Sequence, residues 1–300
     1  MLYNISMFKA GKVAIIGRPN VGKSTLLNAL IKEKLSIISR KKETTRDNIQ
    51  GIISGKDFQV VFIDTPGMHR PKNLLGKSMV RKASSTLQEA DIILLLIDAY
   101  KGITPEDEQI FQKLPAEKTK LLIINKIDKI DKQRILPIID KIKDFPFKEI
   151  IPVSAFKEDG TDIVLQEILK NLPEGFPFFP EGQLSDKNER FLVREIIREK
   201  ILELTYQEIP HSIAVNIEEM EEKRDKSNNI SYFIKALIYV EKKSQRGIVI
   251  GKSGDMLKKI GKLSRKEIEI RLNKHVRLDL WVKLHENWRQ DPYKLKNLDY

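Results

Sequence analysis

The sequence of 300 residues contains no cysteine, which excludes a disulfide framework and any metal site built on thiolates. Its N-terminal segment has no long apolar region, so we expect no secretory signal. The longest apolar run, residues 92–97, is far shorter than the about 20 residues that a membrane-spanning helix needs. We therefore expect a cytoplasmic chain, and its 41% apolar and 32% charged residues are typical of a soluble globular protein.

Positive charge is concentrated in one stretch of the sequence. The chain has a formal net charge of +12, and residues 242–277, with 12 Lys or Arg and 3 Asp or Glu, contribute +9 of it. A local excess of this kind indicates a polyanionic partner, either nucleic acid or an anionic membrane. Charge alone leaves open the alternative of a solvated helical face.

Short apolar runs alternate with longer amphipathic segments over the first half of the chain. The runs are VAIIG, VVFID, IILLLID, LLIINK and IIPVSA. This alternation predicts an α/β domain over residues 1–172, with a mostly parallel sheet covered by helices, because parallel strands buried on both faces are continuously apolar. Residues 173–184 are rich in proline, glycine and phenylalanine, and we predict that they form a linker.

The second half of the chain, residues 185–300, has a different pattern. An amphipathic segment precedes two alternating apolar–polar runs, HSIAVNIEEM and ISYFIKALIYVE, and two helical stretches and a last strand, VRLDLWVKL, follow. The order α-β-β-α-α-β predicts a smaller α+β domain that ends in a C-terminal tail.

The segment GRPNVGKS, residues 17–24, matches the phosphate-binding pattern G-x-x-x-x-G-K-[ST] between a predicted strand and a predicted helix. Its glycines let backbone N–H groups approach phosphates, and the N-terminus of the helix adds positive potential. We expect Lys23 to reach the β- and γ-phosphates and Ser24 to bind Mg²⁺. The residues predicted to bind the nucleotide here are Gly17, Asn20, Val21, Gly22, Lys23, Ser24 and Thr25.

Two further motifs predict groups around the metal ion and the γ-phosphate. Asp64 ends the strand QVVFI, where its carboxylate can hold the Mg²⁺ shell, and Gly67 can offer its N–H to the γ-phosphate. Thr44 and Thr45 lie between Lys23 and Asp64, and a threonine hydroxyl at this point would complete the metal shell and sense the γ-phosphate.

Two motifs at later strand ends predict a guanine pocket. In Asn125-Lys126-Ile127-Asp128, the carboxylate of Asp128 can accept hydrogen bonds from both N1–H and the exocyclic amine of guanine. Adenine has no such pair of donors, so the motif selects GTP over ATP. Ser154 and Ala155 follow the next strand, where a backbone N–H can meet guanine O6.

These motifs, in this order, resemble the translation-factor-related GTPases over residues 10–172, and the segment TTRD resembles bacterial assembly and RNA-processing GTPases. The resemblance implies GTP and GDP as ligands together with Mg²⁺. It favours Thr45 over Thr44 as the metal ligand beside Ser24, with Lys23, Thr45 and Gly67 as the catalytic residues. Related GTPases with an asparagine at the position of Asn20 can use a K⁺ ion, and simple turn chemistry is the alternative at this position.

Met68 departs from the pattern of Ras-like GTPases, in which a glutamine at this position orients the attacking water. Methionine offers no useful hydrogen bond to that water, so we expect slow intrinsic hydrolysis that depends on positioning and charge neutralisation. His69 follows, and a lone histidine in a loop is more often solvated than catalytic.

A second Gly-Lys-Ser triplet, residues 251–253, is not a phosphate-binding loop because Arg246 stands where the first glycine is required. Together with Gly254 it forms a G-x-x-G turn between two predicted helices. The turn and the order of elements resemble the type II KH domain, whose GXXG loop clamps four nucleotides of a single strand. The residues predicted to contact RNA are Ile248, Ile250, Gly251, Lys252, Ser253, Gly254 and Lys258, and Leu257 and Ile260 could also line the groove.

A GTPase domain followed by a type II KH domain resembles a family of bacterial GTPases that act in assembly of the small ribosomal subunit. The resemblance implies a GTP-hydrolysing switch that binds single-stranded RNA near the 3′ end of 16S rRNA and acts on the 30S subunit. We expect a monomer. The alternative is a membrane-surface signalling GTPase whose basic C-terminal domain binds anionic lipid, which would place it peripherally at the inner face of the cell membrane.

Overall fold

The computed structural model describes residues 7–37, 45–68, 71, 73–206, 209–224, 230–298 and 300. The chain divides into two compact units, one made mainly of residues up to Asp186 and the other mainly of Lys187–Tyr300. No helix in the described ranges is both long enough and apolar enough to span a bilayer.

The first unit is a six-stranded sheet with the strand order β2-β3-β1-β4-β5-β6, in which only β2 runs antiparallel to its neighbour. This confirms the predicted α/β fold with a mostly parallel sheet. The strands are β1 (Lys9–Gly17), β2 (Ile49–Gly55), β3 (Phe58–Asp64), β4 (Ile92–Asp98), β5 (Thr119–Asn125) and β6 (Glu149–Val153). The helices are α1 (Lys23–Ile31), α2 (Leu74–Glu89), α3 (Pro105–Phe111), α4 (Ile135–Asp140) and α5 (Thr161–Asn171).

The five parallel strands coincide with the continuous apolar runs of the sequence. Every residue of β4 is buried, and β3 and β5 are buried after their first residue. No apolar run in the sequence predicts β2, the antiparallel strand at the edge of the sheet. Its residues are interrupted by two glycines and a serine, which weakens the apolar signal, and its pairing with β3 comes from the two-residue turn that follows Gly55.

The carboxyl ends of the parallel strands lie along one edge of the sheet and carry the motif residues. Glycine ends β1, Asp64 ends β3, Asp98 ends β4 and Asn125 ends β5. In open α/β sheets the crevice outside these ends is where ligands bind. The topology alone therefore brings motifs that are far apart in sequence to one place.

The segment predicted as a linker is hydrogen-bonded to the first unit. Glu174 bridges to Lys9, and the peptide N–H of Ile52 donates to the carbonyl of Leu184 at 2.9 Å. The buried amide of Gln59 accepts from the N–H groups of Phe178 and Phe179 at 2.6 and 3.0 Å. The compact unit accordingly extends to Asp186, and the domain boundaries at 172 and 185 stay predictions.

The second unit contains a three-stranded sheet with the order β7-β8-β9, antiparallel between β7 and β8 and parallel between β8 and β9. Its elements are α6 (Glu189–Leu204), α7 (Ile209–Ser212), β7 (Ala214–Arg224), β8 (Ile230–Val240), α8 (Lys243–Ile250), α9 (Asp255–Leu272), β9 (His275–Leu284) and α10 (Pro292–Asn297). The predicted order α-β-β-α-α-β is confirmed, with two short helices, α7 and α10, in addition. The strand predicted to begin at His211 begins three residues later because α7 ends at Ser212.

Helix α9 buries one face and exposes the other. Ile260, Ser264 and Ile268 recur every four residues and are buried, as the period of an α-helix requires for a single contact face. The lysines and arginines of the helix lie on the remaining surface. The residues that flank the helix, Gly254 and Asn273, both have left-handed backbone conformations. Glycine and asparagine adopt this conformation with less steric strain than other residues.

Replacing Gln59 with Leu tests whether residues 178–184 belong to the folded unit. The change would leave two backbone N–H groups and the carbonyl of Phe179 without their partner, so we expect a loss of about 2–4 kcal/mol in the free energy of unfolding. Limited proteolysis should also cut near Phe178 faster than in the unmodified protein. Gln112→Leu, at an exposed position, is the matched control. A change below about 0.5 kcal/mol for Gln59→Leu would contradict this account.

Candidate functional site

The phosphate-binding loop has a backbone shape that few residues can adopt. Gly17, Asn20 and Gly22 have φ angles of 146°, 67° and 105°. Asparagine is one of the few non-glycine residues that visit the left-handed region readily. A Cβ atom at Gly22 would lie 2.2 Å from Nδ2 of Asn125, so a side chain here would displace the asparagine that braces the loop.

Helix α1 begins at Lys23 directly after the loop. The residue before it, Gly22, has no side chain that could accept a hydrogen bond from the first N–H groups of the helix. The first N–H groups of a helix have no partner within the helix, and the aligned peptide dipoles make this end positive. The loop and the start of α1 therefore form a site suited to an anion.

The Lys23 ammonium is buried inside the loop. Its Nζ donates to the carbonyl oxygens of Gly17 and Arg18 at 3.2 and 3.0 Å. The pKa of Lys23 is lowered to about 8, chiefly by burial and to a smaller extent by nearby Lys126, while Asp64 acts in the opposite direction. A phosphate oxygen at this position would supply the negative charge that the ammonium needs.

Asp64 is completely buried, and its carboxylate accepts hydrogen bonds from three hydroxyl groups. Its Oδ2 accepts from Ser24 at 2.7 Å, from Ser36 at 2.9 Å and from Thr45 at 3.3 Å. Its Oδ1 has no hydrogen-bond partner in the described part of the chain. Burial raises the pKa of Asp64, while Lys23 and the three hydroxyls act in the opposite direction. A buried carboxylate oxygen without a partner indicates that a further positive or donor group belongs here.

The residues at this point fit a Mg²⁺ ion. The hydroxyls of Ser24 and Thr45 lie 2.9 Å apart and both lie beside the Asp64 carboxylate. Mg²⁺ prefers oxygen ligands and is usually held by one or two protein groups together with phosphates and waters. The described residues contain no cluster of three or more His, Cys, Asp or Glu that could hold a metal ion, so the remaining ligands would come from the nucleotide and water.

The choice between the two threonines stays a prediction. Thr45 is 6% exposed and belongs to the cluster around Asp64. Thr44 and His69 lie outside the described residues. Thr25 lies in the first turn of α1 and is half-buried.

The predicted guanine motif also braces the phosphate-binding loop. Nδ2 of Asn125 donates to the carbonyl of Val21 at 2.8 Å. Nζ of Lys126 donates to the carbonyl of Asn20 at 2.5 Å and to Asp98 at 2.6 Å. These bonds give donors to two carbonyls of the loop and so hold its backbone in place.

The guanine pocket itself is bounded by two strand ends. Oδ1 of Asp128 accepts from the Ser154 hydroxyl at 2.7 Å, which fixes the orientation of the carboxylate. The N–H of Ala155 donates to Oδ1 of Asn125 at 3.0 Å. Asn125 and Asp128 thus lie beside Ser154 and Ala155. The backbone N–H of Ala155, a candidate to meet guanine O6, already donates to the side chain of Asn125.

The segment after β3 lies against the phosphate-binding loop. A Cβ atom at Gly67 would lie 2.9 Å from the backbone nitrogen of Pro19, so only glycine allows this close approach. The N–H of Met68 donates to the carbonyl of Gly17 at 3.2 Å. The Met68 side chain is partly buried against the apolar core on one side of the sheet, where it cannot orient a water.

Sequence reasoning missed several polar residues at the site, namely Arg18, Ser36, Asp98 and Asp107. Arg18 and Asp107 form a buried ion pair at 2.7 Å. The only signal for Asp107 in the sequence is the capping pattern Thr104-Pro105-Glu106-Asp107, which predicts a helix start and not a contact with the loop. Ser36 and Asp98 have no sequence signal, because their roles depend on contacts that only the fold creates.

The G-x-x-G turn of the second unit has the backbone shape that its glycines allow. Gly251, Ser253 and Gly254 have φ angles of 75°, 53° and 83°. A Cβ atom at Gly251 would lie 2.7 Å from the backbone nitrogen of Met256. Lys252 and Ser253 are exposed at the tip of the turn, between α8 and α9.

The apolar residues near the turn differ in exposure. Ile248 is 48% exposed, and Ile250 and Leu257 are half-buried, so all three can offer apolar surface. Ile260 is 0% exposed and belongs to the core. The groove suggested by the sequence therefore excludes Ile260.

The cations of the second unit fall into two groups. On and beside the sheet, five cations each lie within 4.0 Å of a carboxylate: Lys223, Lys235, Lys274, Arg277 and Lys283. Along α8, the turn and α9, eight exposed cations have no ion pair within the described ranges: Lys243, Arg246, Lys252, Lys258, Lys259, Lys262, Arg265 and Lys266. These eight unpaired cations are concentrated on the surface around the G-x-x-G turn, which suits a polyanion.

Two family models match the chain, each over one part of it. The model described as 50S ribosome-binding GTPase matches residues 12–126, which include the phosphate-binding loop, Asp64 and the first two residues of the guanine motif, Asn125 and Lys126. The model described as KH domain matches residues 208–289, which include the G-x-x-G turn.

Two solved structures are similar to this chain over nearly its whole length. One is Era in complex with MgGDPNP and nucleotides 1506–1542 of 16S ribosomal RNA, with 45% identity, a TM-score of 0.93, and coverage of 97% of this chain and 98% of the other. The second is a variant of Era from Aquifex aeolicus bound to GDP·AlF4⁻, with 46% identity, a TM-score of 0.93, and coverage of 97% and 99%. The likeness therefore extends to sequence as well as to fold, over both units.

Replacing Asp128 with Asn tests the guanine pocket. The change exchanges an acceptor for a donor, so GTP affinity should fall by at least about tenfold while xanthosine triphosphate, which has the reversed pattern, should gain. Competition against a fluorescent nucleotide measures both. Asp131→Asn, an exposed acid in the same loop, is the control. Unchanged GTP affinity in the Asp128 variant would show that the base binds elsewhere.

Proposed function

This chain belongs to the Era family of GTPases, and on that premise we propose that it is a GTP-dependent switch that binds single-stranded RNA at the 3′ end of 16S rRNA and acts in assembly of the 30S subunit. The observation that carries the nucleotide half is the convergence of Lys23, the Asp64 hydroxyl cluster and the Asp128 pocket on one edge of the sheet. The observation that carries the RNA half is the group of unpaired cations around the G-x-x-G turn.

In the proposed site the residues of the loop bind and orient the triphosphate. Lys23 exchanges the carbonyls of Gly17 and Arg18 for β- and γ-phosphate oxygens, and the N–H groups at the start of α1 face the phosphates. Gly67 brings its backbone N–H to the γ-phosphate. Asp128 and the Ser154–Ala155 turn select guanine.

Ser24 and Thr45 would hold Mg²⁺, with Asp64 accepting hydrogen bonds from both hydroxyls and orienting them. Held by these two hydroxyls, Mg²⁺ would supply positive charge to neutralise the charge that develops on the phosphates. The carboxylate explains why these hydroxyls stay aligned, because both lie within hydrogen-bond distance of Oδ2 of Asp64. Participation of K⁺ at Asn20 remains part of the proposal.

Hydrolysis by the proposed site is slow because, among the residues that the structure describes, no side chain near the γ-phosphate position is suited to orient water. Met68 lies where a glutamine serves in Ras-like GTPases, and its side chain packs against the core. The residues that remain for catalysis are Lys23, Thr45 and Gly67, which act by placing charge and donors around the phosphates.

The RNA half of the proposal rests on the second unit. The Era structure that contains nucleotides 1506–1542 of 16S rRNA is 45% identical to this chain over nearly its full length. In the chain described here, Gly251 and Gly254 let the backbone approach phosphates, and Lys252 and Lys258 add charge. Ile248 and Ile250 offer apolar surface for bases. We also propose a monomer in the cytoplasm.

An anionic membrane is the alternative partner for the same cations, since they would attract lipid phosphates as well as RNA phosphates. The apolar surface beside the G-x-x-G turn favours RNA, because it offers bases a place to pack and gives specificity that charge alone lacks. The tests below distinguish the two.

Replacing Met68 with Ala tests the interpretation of slow hydrolysis. The methionine supplies no polar group, so single-turnover hydrolysis at saturating GTP should change by less than about tenfold. A loss near the about 10²–10³-fold cost of deleting an oxyanion-stabilising donor would mean that this position takes part in catalysis. The rate is measured by quenched-flow or by release of labelled phosphate.

The two Gly-Lys-Ser triplets can be separated by paired variants. Lys23→Ala should raise the dissociation constant for GTP by at least about 100-fold, because a buried charge-assisted contact to phosphate is lost. Lys252→Asp with Ser253→Asp should leave GTP binding unchanged and remove binding of a short single-stranded fragment from the 3′ end of 16S rRNA. Lys101→Asp with Ser84→Asp, exposed positions in the first unit, applies the same change of charge as a control.

Each variant is titrated with GTP, with the RNA fragment, and with vesicles that contain or lack anionic lipid. The three affinities show whether residues 251–254 bind nucleotide, RNA or membrane. Binding of RNA by the unmodified protein should weaken steeply with salt, because phosphate contacts release counterions. A Lys252/Ser253 variant that lost GTP but kept RNA would make residues 251–254 a nucleotide loop. A variant that kept RNA would place the RNA site elsewhere, and preferential binding of anionic vesicles over RNA would favour the membrane alternative.

A further inference from the structure

Arg18 is a residue of the phosphate-binding loop whose side chain leaves the loop. Its Nε donates to Oδ1 of Asp107 at 2.7 Å, and the arginine and the aspartate are 7% and 0% exposed. The carboxylate belongs to α3, which lies after β4 and outside all the motifs that predict nucleotide binding. The ion pair thus joins the loop to a helix that has no other described role in the site.

The carboxylate of Asp107 is held by other hydrogen bonds besides its contact with Arg18. Its Oδ2 accepts from the backbone N–H and from the hydroxyl of Thr104, both at 3.0 Å, in a capping box that closes the start of α3. One carboxylate oxygen therefore fixes the helix start and the other receives the guanidinium. A side chain with both oxygens committed makes a stiff anchor.

The backbone of Arg18 is part of the lysine site. Its carbonyl accepts from Nζ of Lys23 at 3.0 Å, and the neighbouring carbonyl of Gly17 accepts from the same ammonium and from the N–H of Met68. The far end of the loop is braced by Asn125 and Lys126, which bind the carbonyls of Val21 and Asn20. The beginning of the loop, at Arg18, is held by the ion pair with Asp107.

The pair is a poor device for stability alone. Nη2 of Arg18 is buried and has no hydrogen-bond partner in the described residues, so desolvation of the guanidinium is only partly offset. Buried ion pairs can often be replaced by apolar residues without loss of stability. A costly pair at the base of a functional loop is better explained by positioning.

We propose that Arg18 and Asp107 are positioning residues that hold the first turn of the phosphate-binding loop, so that the Lys23 ammonium and the loop N–H groups are arranged for the nucleotide before it binds. The inference rests on the proposed GTP site. Through Asp107 the start of α3 becomes a third support of the loop, beside the ends of β3 and β5. Freeing the loop would lower nucleotide affinity because binding would then have to order it.

Four variants separate positioning from a merely structural role. Arg18→Met removes the charge at similar length, Asp107→Asn combined with it removes both charges, and Arg18→Lys keeps the charge. Glu106→Gln is the matched control, since Glu106 lies 4.0 Å from Arg18 on the same helix start and is largely exposed. The measurements are the dissociation constant and dissociation rate of a fluorescent GDP analogue, and urea unfolding of the nucleotide-free protein.

We expect Arg18→Met to weaken both stability and binding, because it leaves the Asp107 carboxylate buried without a counter-charge. The double variant should regain most of the stability while its dissociation constant stays at least about tenfold above that of the unmodified protein. Arg18→Lys should recover part of the affinity, and Glu106→Gln should stay within about twofold of the unmodified protein.

Normal GDP binding by the double variant would overturn the positioning role and leave the pair structural. Equal losses of affinity in Arg18→Lys and Arg18→Met would also overturn it, because a positioning contact should be rescued in part by a retained charge. Absence of nucleotide binding by the unmodified chain would instead overturn the proposed GTP site itself, and the inference with it.

Discussion

The burial of two opposite charges, the Lys23 ammonium and the Asp64 carboxylate, at one edge of the sheet is the constraint around which the first unit is arranged. Each charge is costly alone, since burial lowers the pKa of the lysine and raises that of the aspartate. Each partly offsets the other, and carbonyls and hydroxyls supply the remaining partners. Lys23 and Asp64 come from α1 and β3, so the pair can exist only when the sheet has assembled.

The same constraint explains the shape of the surroundings. A buried ammonium in a loop requires loop carbonyls beside it, and the carbonyls elsewhere in the loop must then find other donors. Asn125 and Lys126 supply those donors at the far end. The guanine motif that contains Asp128 therefore also keeps the phosphate-binding backbone in place, through Asn125 and Lys126, which would couple recognition of guanine to recognition of phosphate in the proposed site.

Sequence reasoning recovered the parts of this arrangement that have local patterns. The parallel strands appear as apolar runs, and the loop, Asp64 and Asp128 appear as motifs at strand ends. It did not recover β2, whose residues have no continuous apolar run, or the packing of residues 173–184, which were predicted as a linker because they are rich in proline and glycine. No sequence pattern predicts the contacts Arg18–Asp107 and Ser36–Asp64, because each joins residues from distant elements with no fixed spacing.

The two Gly-Lys-Ser triplets show how far a short pattern depends on its context. After β1, the first triplet turns its lysine inward, where burial and the carbonyls of the loop hold it. Between α8 and α9, the second triplet leaves Lys252 and Ser253 exposed at the tip of a turn.

In both settings glycine would admit a phosphate close to the backbone, but only the first setting would enclose it. Enclosure suits a single nucleotide that must be oriented for reaction, and an open turn suits a strand that continues in both directions. Specificity then has to come from other groups: a carboxylate directed at the base in the first unit, and exposed apolar side chains beside the turn in the second. In the proposed function the same triplet would therefore serve two kinds of phosphate ligand, because the elements on either side of it differ.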